Sequence, residues 1–338
     1  MTDPLLSLRD LSVAYRVGKQ DVLAVEGATF DVQPGSIVGL VGESGCGKTT
    51  LARSLTRVLA TNARVAGGQA VFGGQDIMAL PERAMNALRW REIAFIPQSA
   101  MNSLDPVYTV GAQLSEVLTR RGGLGRGGAR KRAEELFEWV GIETNRLGDF
   151  PHQFSGGMRQ RVAIALALAL DPKLIIADEP VTALDVIVQR QILDQLRELK
   201  ERLGISVILV THDISVVAYV CDRVVVMYAG HVVETGPMAA TLTAPAHPYT
   251  MGLRNAFPDL AAAAGLLTPI EGAPPDLAHP PAGCRFAARC PFAEDRCTQS
   301  VPDLDLYEAD HLAACHRLSE AAALRDRAVQ SETWQVMA

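Results

Sequence analysis

The sequence lacks any apolar run long enough to cross a lipid bilayer. Its longest such run covers residues 162–170 and stops well short of the roughly 20 residues that a membrane-spanning helix needs. Two charged residues, Arg161 and Asp171, flank this run. We therefore expect a buried helix at this position and no membrane-spanning segment in the chain.

The chain also lacks an excess of positive charge. It has 32 Lys and Arg against 38 Asp and Glu, which gives a net charge of −6. Broad nucleic-acid binding needs a surplus of cationic side chains that neutralise phosphates, so this balance argues against it. Residues 1–4 do not begin the charged and then apolar pattern of a signal peptide. We expect a soluble intracellular protein. Its 338 residues are enough for one large domain and a smaller additional segment.

A phosphate-binding loop is the most informative feature that is present. Residues 42–49 read Gly-Glu-Ser-Gly-Cys-Gly-Lys-Thr and fit G-x-x-x-x-G-K-[ST] at every fixed position. The apolar run 36–41 predicts a strand before the loop, and residues 50–55 predict a helix after it. Such glycines let several backbone N–H groups converge on one anion. Lys48 can then reach the β- and γ-phosphates of a nucleotide, and the Thr49 hydroxyl can ligate Mg²⁺.

A second predicted strand, at residues 174–179, ends in two acidic residues. The first acid, Asp178, is expected beside the phosphate loop, where it can hold Mg²⁺ through water. The second, Glu179, is expected to project toward the γ-phosphate and polarise an attacking water. The pair therefore predicts hydrolysis of the nucleotide as well as binding.

Two more segments carry chemistry. Ser155-Gly156-Gly157 opens a predicted helix, and its hydroxyl and backbone N–H groups predict another anion site. Residues 207–213 predict a further buried strand, with His212 at its C-terminal end. Ligands of open α/β sheets bind at that edge.

At these residues the chain resembles the nucleotide-binding subunits of ATP-binding-cassette (ABC) transporters, over roughly residues 5–235. The resemblance holds for each motif of the family: Walker A at 42–49, the Q-loop at Gln98, the signature at 155–159, Walker B at 174–178 followed by the catalytic Glu179, the D-loop at 183–185 and the switch histidine at His212. The family more often has Gln where Met158 stands. Tyr15 lies where the family places an aromatic residue that stacks on adenine.

The resemblance implies roles for these residues in a site for ATP and Mg²⁺. The catalytic residues are Glu179, His212 and Gln98. The Mg²⁺ ligands are Thr49, Gln98 and Asp178. The residues implied to bind the nucleotide are Tyr15, Gly42, Ser44, Gly45, Cys46, Gly47, Lys48, Thr49, Thr50, Gln98, Asp178, Ser155, Gly156 and Gly157.

The resemblance also implies an α/β fold. Residues 1–235 are expected to form a P-loop ABC ATPase domain with a β-subdomain and, at about 99–159, a helical subdomain. Residues 236–338 are expected to form a small, loop-rich C-terminal extension, with a linker at 261–281 that is rich in Ala, Pro and Gly.

Local patterns predict three elements within this plan. Residues 5–35 alternate apolar and polar and predict a β-hairpin, with turns at Gly18 and at Pro34-Gly35. Residues 187–203 predict an amphipathic helix that ends at Gly204. Residues 120–132 are basic and Gly-rich, and we expect a solvated loop there.

Cysteine is scarce except in the extension, which holds Cys284, Cys290, Cys297 and Cys315 of the six in the chain. Disulfides are disfavoured in a cytosolic ATPase because its compartment is reducing. Four thiolates suit Zn²⁺ or an iron–sulfur cluster, but the spacing fits neither a zinc knuckle nor the common ferredoxin patterns. Spacing alone therefore leaves the metal open, and unliganded structural cysteines stay an alternative.

The extension narrows the resemblance to the oligopeptide/dipeptide importer ATPases. The segments that carry this match are 247–250, 283–286, 289–292 and 314–316, so the resemblance reaches about residue 317. In some members the four cysteines hold a [4Fe–4S] cluster, and the resemblance implies such a cluster here, with Zn²⁺ as the alternative. We expect this cluster to stabilise the extension, which has too few apolar residues to fold alone. The last twenty or so residues match nothing that indicates a role.

The resemblance implies partners as well. Each ATP is expected to lie between the phosphate loop of one subunit and the Ser-Gly-Gly turn of a second ABC ATPase subunit, and this group usually pairs two different ATPases in a heterodimer. Two transmembrane permease subunits and an extracytoplasmic solute-binding protein complete an importer, with this chain at the cytoplasmic face of the inner membrane. No nucleic-acid partner is expected. The sequence does not distinguish peptide, nickel or oligosaccharide cargo, because other subunits select it.

An alternative from another functional class is a soluble ABC ATPase that acts on DNA or ribosomes. DNA-repair members carry long coiled-coil insertions between Walker A and the signature, whereas only residues 50–154 intervene here. Translation-type members carry two cassettes in one chain, whereas this chain carries one.

Overall fold

The computed structural model describes residues 3–98, 100, 103–182, 184–255 and 269–334. The chain divides into two compact units. The first unit comprises Met1–Pro4, Val32–Ile37 and Ala79–Val210, and the second comprises Leu5–Asp31, Val38–Met78 and Thr211–Ala338. The predicted domain boundary at residue 235 stays a prediction.

Strands and helices alternate along most of the chain, which makes the fold α/β. The strands are β1 (Leu6–Val17), β2 (Gln20–Val32), β3 (Ile37–Val41), β4 (Ala63–Phe72), β5 (Gln75–Asp76), β6 (Ile93–Ile96), β7 (Leu174–Asp178), β8 (Ser206–Thr211), β9 (Arg223–Tyr228), β10 (His231–Pro237), β11 (Asp305–Glu308) and β12 (His311–Ala313). The helices are α1 (Lys48–Leu55), α2 (Glu82–Leu88), α3 (Val110–Arg120), α4 (Arg126–Trp139), α5 (Gly156–Ala167), α6 (Val186–Leu203), α7 (Ile214–Val220), α8 (Met238–Thr243), α9 (Pro248–Asn255), α10 (Asp295–Gln299) and α11 (Ala321–Ala328).

The first unit contains the parallel strands β6, β7 and β8, with Ile93 opposite Leu174 and Leu174 opposite Ser206. Every residue of β7 and β8 is buried. Parallel strands covered on both faces are nearly continuous apolar runs in sequence, which is why both were predicted correctly. Helix α6 begins one residue before the predicted start and ends at Leu203, where it is capped, as predicted, by Gly204 with a left-handed φ of 66°. The predicted buried helix over 162–170 is confirmed by α5, which ends at Ala167.

The helical part of the first unit corrects one prediction. The basic, Gly-rich segment 120–132 was expected to be a loop, but α3 continues to Arg120 and α4 already begins at Arg126. Ala129 and Ala133 lie buried on one face of α4, while Arg130 pairs with Glu134 one turn away on the exposed face. Burial of the small alanines outweighs the helix-weakening effect of the neighbouring glycines.

The second unit holds an antiparallel sheet in the order β2-β1-β4-β5. The predicted hairpin of residues 5–35 is confirmed by β1 and β2, which a turn at Gly18 joins, with φ of 62°. In a separate sheet, β3 runs parallel to β9, and β10 and β12 add antiparallel strands beyond it. Strand β3 thus confirms the run predicted ahead of the phosphate loop.

The C-terminal extension is more regular than predicted. Its described residues include helices α8 to α11 and the β11–β12 hairpin, and those at 269–281 contain neither helix nor strand. The predicted linker lies partly outside the described residues, since 256–268 are not among them. Apolar side chains of the extension, such as Phe286, Leu324 and Trp334, lie in one buried cluster with strand residues Val224 and Tyr228. The extension therefore shares the core of the second unit and does not fold as an isolated appendix.

In the part of the chain that the structure describes, no helix has both the length and the apolar character that spanning a membrane requires.

Candidate nucleotide site

The phosphate loop joins buried β3 to α1 with a backbone that requires glycine at two positions. Gly42 and Gly47 have φ of 151° and 100°, a range that side-chain-bearing residues rarely adopt. A Cβ atom on Gly42 would lie 2.0 Å from the carbonyl oxygen of Met227, and one on Gly47 would lie 2.3 Å from that of Ala24. The fixed glycines of the motif are thus explained by backbone conformation and by close packing.

Lys48 is folded against the loop that it follows. Its side chain is buried, and Nζ donates hydrogen bonds to the carbonyl oxygens of Gly42 at 2.7 Å and Glu43 at 2.8 Å. Cys46 is buried beside it, and this burial raises the pKa of the Cys46 thiol, so that the thiol stays neutral at pH 7. Ser44 and Gly45, at the tip of the loop, are exposed. A buried lysine packed against a loop with an exposed tip is suited to bind an anion.

Tyr15 lies next to the helix that follows the loop. Its hydroxyl is 3.1 Å from Oγ1 of Thr50, in the first turn of α1, and its side chain is half-buried. The structure therefore brings Tyr15 and Thr50 together, as expected of two residues in one site. Stacking of Tyr15 on adenine stays a prediction.

The acid pair at the end of β7 has two different environments. Asp178 is fully buried. Glu179 has a φ of 49°, and its backbone N–H donates to the carbonyl oxygen of Val210 at 2.9 Å. Residues other than glycine in this left-handed region are strained and cluster at functional sites.

Gln98 and Glu179 lie in contact. The Gln98 side-chain amide donates to Oε2 of Glu179 at 2.9 Å, and the Thr182 hydroxyl donates to the same oxygen at 3.2 Å. Two predicted catalytic residues, 81 positions apart, are thereby brought together. Thr182 was missed, although a hydroxyl three residues after an acid at a strand end is a signal that a sequence can give.

The signature turn begins α5. Ser155 is the N-cap residue, and its Oγ accepts a hydrogen bond from the Met158 N–H at 3.3 Å. A Cβ atom on Gly157 would lie 2.6 Å from Cγ1 of Val188, so glycine permits close packing of α5 on α6. Ser155 itself is exposed, while Gly156 and Gly157 are half-buried. Met158, where the family more often has Gln, has its sulfur 3.5 Å from Nη1 of Arg146.

The D-loop and the switch histidine are described in part. Ala183 lies outside the described residues. Asp185 caps α6, since its side chain accepts from the Val188 N–H at 3.0 Å. His212 is exposed directly after β8, and the next residue, Asp213, caps α7. Their parts in nucleotide binding stay predictions.

Sequence reasoning missed a connection between the phosphate loop and the C-terminal extension. The Glu43 carboxylate accepts hydrogen bonds from both Nη atoms of Arg289, at 2.8 and 2.9 Å. The backbone N–H of Glu43 donates to the hydroxyl of Tyr249 at 2.9 Å. These residues are more than 200 positions apart, and nothing in their local pattern indicates that they meet.

The four cysteines of the extension line one cavity of about 20 Å³, together with Phe286 and Phe292. Burial raises the pKa of the Cys284 and Cys290 thiols and raises that of Cys315 to about 11, so these thiols are neutral at pH 7. Among the described residues, however, no group of three or more His, Cys, Asp or Glu side chains is placed to hold a metal ion. The thiols share a cavity but do not form a ligand group, and the predicted iron–sulfur or zinc site gains no support from their geometry.

Comparisons with known proteins match both parts of the chain. The ABC transporter family matches residues 25–182, and the family described as oligopeptide/dipeptide transporter, C-terminal region, matches residues 233–297. The oligopeptide transport ATP-binding protein OppD of Salmonella typhimurium is 44% identical over 93% of each chain. The dipeptide transport ATP-binding protein DppD of Bacillus subtilis is 43% identical over 93% of this chain and 94% of its own.

Solved structures match the fold. One of them, the dimeric structure of a post-hydrolysis state of the ATP-binding cassette MJ0796 bound to ADP and Pi, superposes with a TM-score of 0.61. Its sequence is 28% identical, and the match covers 69% of this chain and 98% of the solved one.

Proposed function

This chain belongs to the ABC transporter ATP-binding family, in its oligopeptide/dipeptide group, and on that premise we propose that it energises the import of peptides or a related solute. Its fold is the α/β fold of ABC cassettes, as predicted, and it is an ATPase subunit of a transporter. The observation that carries the peptide assignment is the oligopeptide/dipeptide C-terminal region at residues 233–297, joined to the cassette in one chain. The relatives described above are named for oligopeptide and dipeptide transport.

In this proposal the phosphate loop binds ATP and Glu179 polarises the water that attacks the γ-phosphate. The water loses its proton toward Glu179, the new P–O bond forms, and ADP leaves as the β–γ bridge breaks. The hydrogen bond from Gln98 supports this role because it fixes the direction of the Glu179 carboxylate. His212 contacts the γ-phosphate, and Tyr15 stacks on adenine.

The oxygen donors of Thr49, Gln98 and Asp178 are of the kind that Mg²⁺ prefers, and we propose that these residues hold it. When bound there, Mg²⁺ would supply positive charge that offsets the charge of the phosphates. Lys48 contributes a further positive charge from the phosphate loop.

We propose that the second half of each ATP site comes from another ABC ATPase subunit, in a heterodimer. The exposed Ser155 at the start of α5 supports this arrangement, since the N-terminus of a helix with a solvent-exposed serine suits a phosphate. The solved relative described above is dimeric. The proposal predicts that ATPase activity per chain rises with protein concentration and with added partner subunit. Full activity in a particle that light scattering shows to be a monomer would overturn it.

The remaining partners follow from the same proposal. Two transmembrane permease subunits supply the pathway, an extracytoplasmic solute-binding protein delivers the cargo, and this chain works at the cytoplasmic face of the inner membrane. The alternative, a soluble ATPase acting on DNA or ribosomes, gains no support from relatives that are named as transport proteins.

Uptake by whole cells tests the proposed function. A strain that lacks the gene is complemented with the wild-type chain or with Glu179→Gln, and the uptake of labelled di- and oligopeptides, nickel and oligosaccharides is compared. We expect peptide uptake with the wild-type chain only. If only the uptake of nickel or of an oligosaccharide depends on the wild-type chain, that solute replaces peptides as the proposed cargo. If the uptake of none of these solutes depends on the chain, the proposal is overturned.

The [4Fe–4S] cluster, with Zn²⁺ as the alternative, stays a proposal that rests on family resemblance, for four cysteines that line one cavity but form no ligand group there. Anaerobic purification with iron and zinc analysis tests it, with Cys290→Ser as the variant and Cys221→Ser, outside the cavity, as the matched control. Metal lost only from Cys290→Ser supports the site, whereas wild-type protein without metal overturns it.

A further inference from the structure

The phosphate loop carries a negative charge of its own at Glu43. A carboxylate at this position is unfavourable for binding a polyanionic nucleotide unless a cation balances it. Arg289, in the C-terminal extension, supplies that balance through a two-pronged ion pair, with Nη1 2.8 Å from Oε2 and Nη2 2.9 Å from Oε1. This parallel geometry is the strongest form of an arginine–carboxylate contact.

Arg289 is held firmly in place. Nε donates to the carbonyl oxygen of Glu271, Nη1 also donates to the Tyr228 hydroxyl, and Nη2 also donates to the carbonyl oxygen of Ile270. With the two bonds to Glu43, all five N–H donors of the guanidinium are used. The side chain is only 6% exposed. A guanidinium with every donor satisfied and little exposure has one defined position, so Glu43 has one as well.

A second contact fixes the backbone at the same residue. The Glu43 N–H donates to the Tyr249 hydroxyl at 2.9 Å. The Tyr249 ring packs on Tyr228 and Phe286, with centroids 4.7 and 5.4 Å apart, and the whole residue is buried. Burial raises the pKa of the Tyr249 hydroxyl, so it stays protonated. The extension therefore holds both the side chain and the main chain of Glu43.

We propose that Arg289 and Tyr249 are positioning residues of the nucleotide site, through which the C-terminal extension sets the affinity of the phosphate loop for ATP. Arg289 neutralises Glu43 and draws its carboxylate toward the extension, and Tyr249 fixes the backbone one residue after Gly42. Neither side chain takes part in the chemical step. The inference rests on the proposed function only in that the loop binds ATP.

The test measures the equilibrium affinity of the full-length chain for a fluorescent ATP analogue, together with its melting temperature. Arg289→Gln leaves Glu43 with its charge and without its partner, and we expect binding to weaken about tenfold through repulsion at close range. The matched control is Arg317→Gln, which removes another arginine of the extension that pairs with Glu294 and Glu320. We expect its affinity to stay within about twofold of the wild type.

A charge-removing second substitution separates this role from a merely structural one. In the Arg289→Gln background, Glu43→Gln removes the unbalanced carboxylate, and we expect most of the lost affinity to return. A general loosening of the extension would not be repaired in this way. Tyr249→Phe, which removes a single oxygen, covers the case in which Arg289→Gln does not fold, and we expect a severalfold weaker affinity.

The outcomes are distinct. Unchanged affinity in folded Arg289→Gln, or no recovery in the double variant, overturns the inference. If Arg289→Gln does not fold, unchanged affinity in Tyr249→Phe does the same. A wild-type chain that binds no ATP analogue overturns the proposed function itself.

Discussion

The side-chain amide of Gln98 donates a hydrogen bond of 2.9 Å to the carboxylate of Glu179. Gln98 follows strand β6 and Glu179 follows strand β7, two neighbouring parallel strands of the first unit. The strained φ of 49° at Glu179 turns its side chain away from the path of β7, where Gln98 and Thr182 meet it. The sequence shows these residues as separate motifs, and the structure joins them into one hydrogen-bonded group.

Replacing Gln98 by Ala is expected to lower ATP turnover by about tenfold to a hundredfold, because the Glu179 carboxylate loses the amide that orients it. Steady-state hydrolysis in the assembled transporter measures this. The matched control is Gln113→Ala in the same unit, since the hydrogen bonds of that amide among the described residues go to backbone groups of Asp105 and Tyr108. Equal turnover in the two variants would argue against an orienting role for Gln98.

Replacing Lys48 by Ala is expected to weaken ATP binding itself, by roughly tenfold to a hundredfold, as the loss of charged hydrogen bonds predicts. Binding of a fluorescent ATP analogue gives the affinity directly. Lys173→Ala serves as the control, because that lysine pairs with Glu92 at an exposed position. Unchanged affinity in Lys48→Ala would contradict the assignment of residues 42–49 as the phosphate loop.

The stability of the second unit is expected to fall with decreasing pH, and His247 is one cause. His247 is buried, its Nδ1 accepts a hydrogen bond from the Tyr249 N–H at 3.0 Å, and burial lowers its pKa to about 3. An unfolded histidine has a pKa of about 6.5, so below that pH the unfolded state binds the proton first. Above about pH 6.5, protonation of His247 does not affect the free energy of unfolding. Between there and about pH 3, it lowers the free energy of unfolding by about 1.4 kcal/mol for each pH unit.

Urea unfolding at pH 7, 6 and 5 measures this slope in the wild type and in His247→Asn. Asparagine offers an oxygen to the Tyr249 N–H and has no proton to bind, while His231 and the other titrating groups stay the same in both proteins. We expect a smaller loss of stability per pH unit in the variant. Parallel curves for the two proteins would show that His247 does not contribute.

Local patterns were sufficient to predict strands β3, β7 and β8 and the phosphate loop. Strands β3, β7 and β8 are buried along their whole length, so their apolar runs are unambiguous. The loop could be predicted from its glycines because its backbone conformation and packing leave no room for another residue type at Gly42 and Gly47. These features depend on neighbours in sequence and therefore leave a signal there.

Long-range contacts explain what the sequence did not reveal. Helix α4 begins within a Gly-rich segment because Ala129 and Ala133 are buried against other elements, which no window of the sequence shows. The pairing of Arg289 with Glu43 joins residues 246 positions apart. The extension has few apolar residues of its own, and the sequence did not reveal that they pack in one core with strand residues from elsewhere in the second unit.

ATP hydrolysis by Glu179→Gln, measured beside ATP binding in the assembled transporter, tests the account most directly. Gln98 orients the Glu179 carboxylate, and glutamine cannot accept the proton of the attacking water. We predict that turnover falls by about 10²–10⁴ while the affinity for ATP is retained. A Glu179→Gln variant that hydrolyses ATP at the parental rate would contradict the catalytic role of Glu179 and the mechanism built on it.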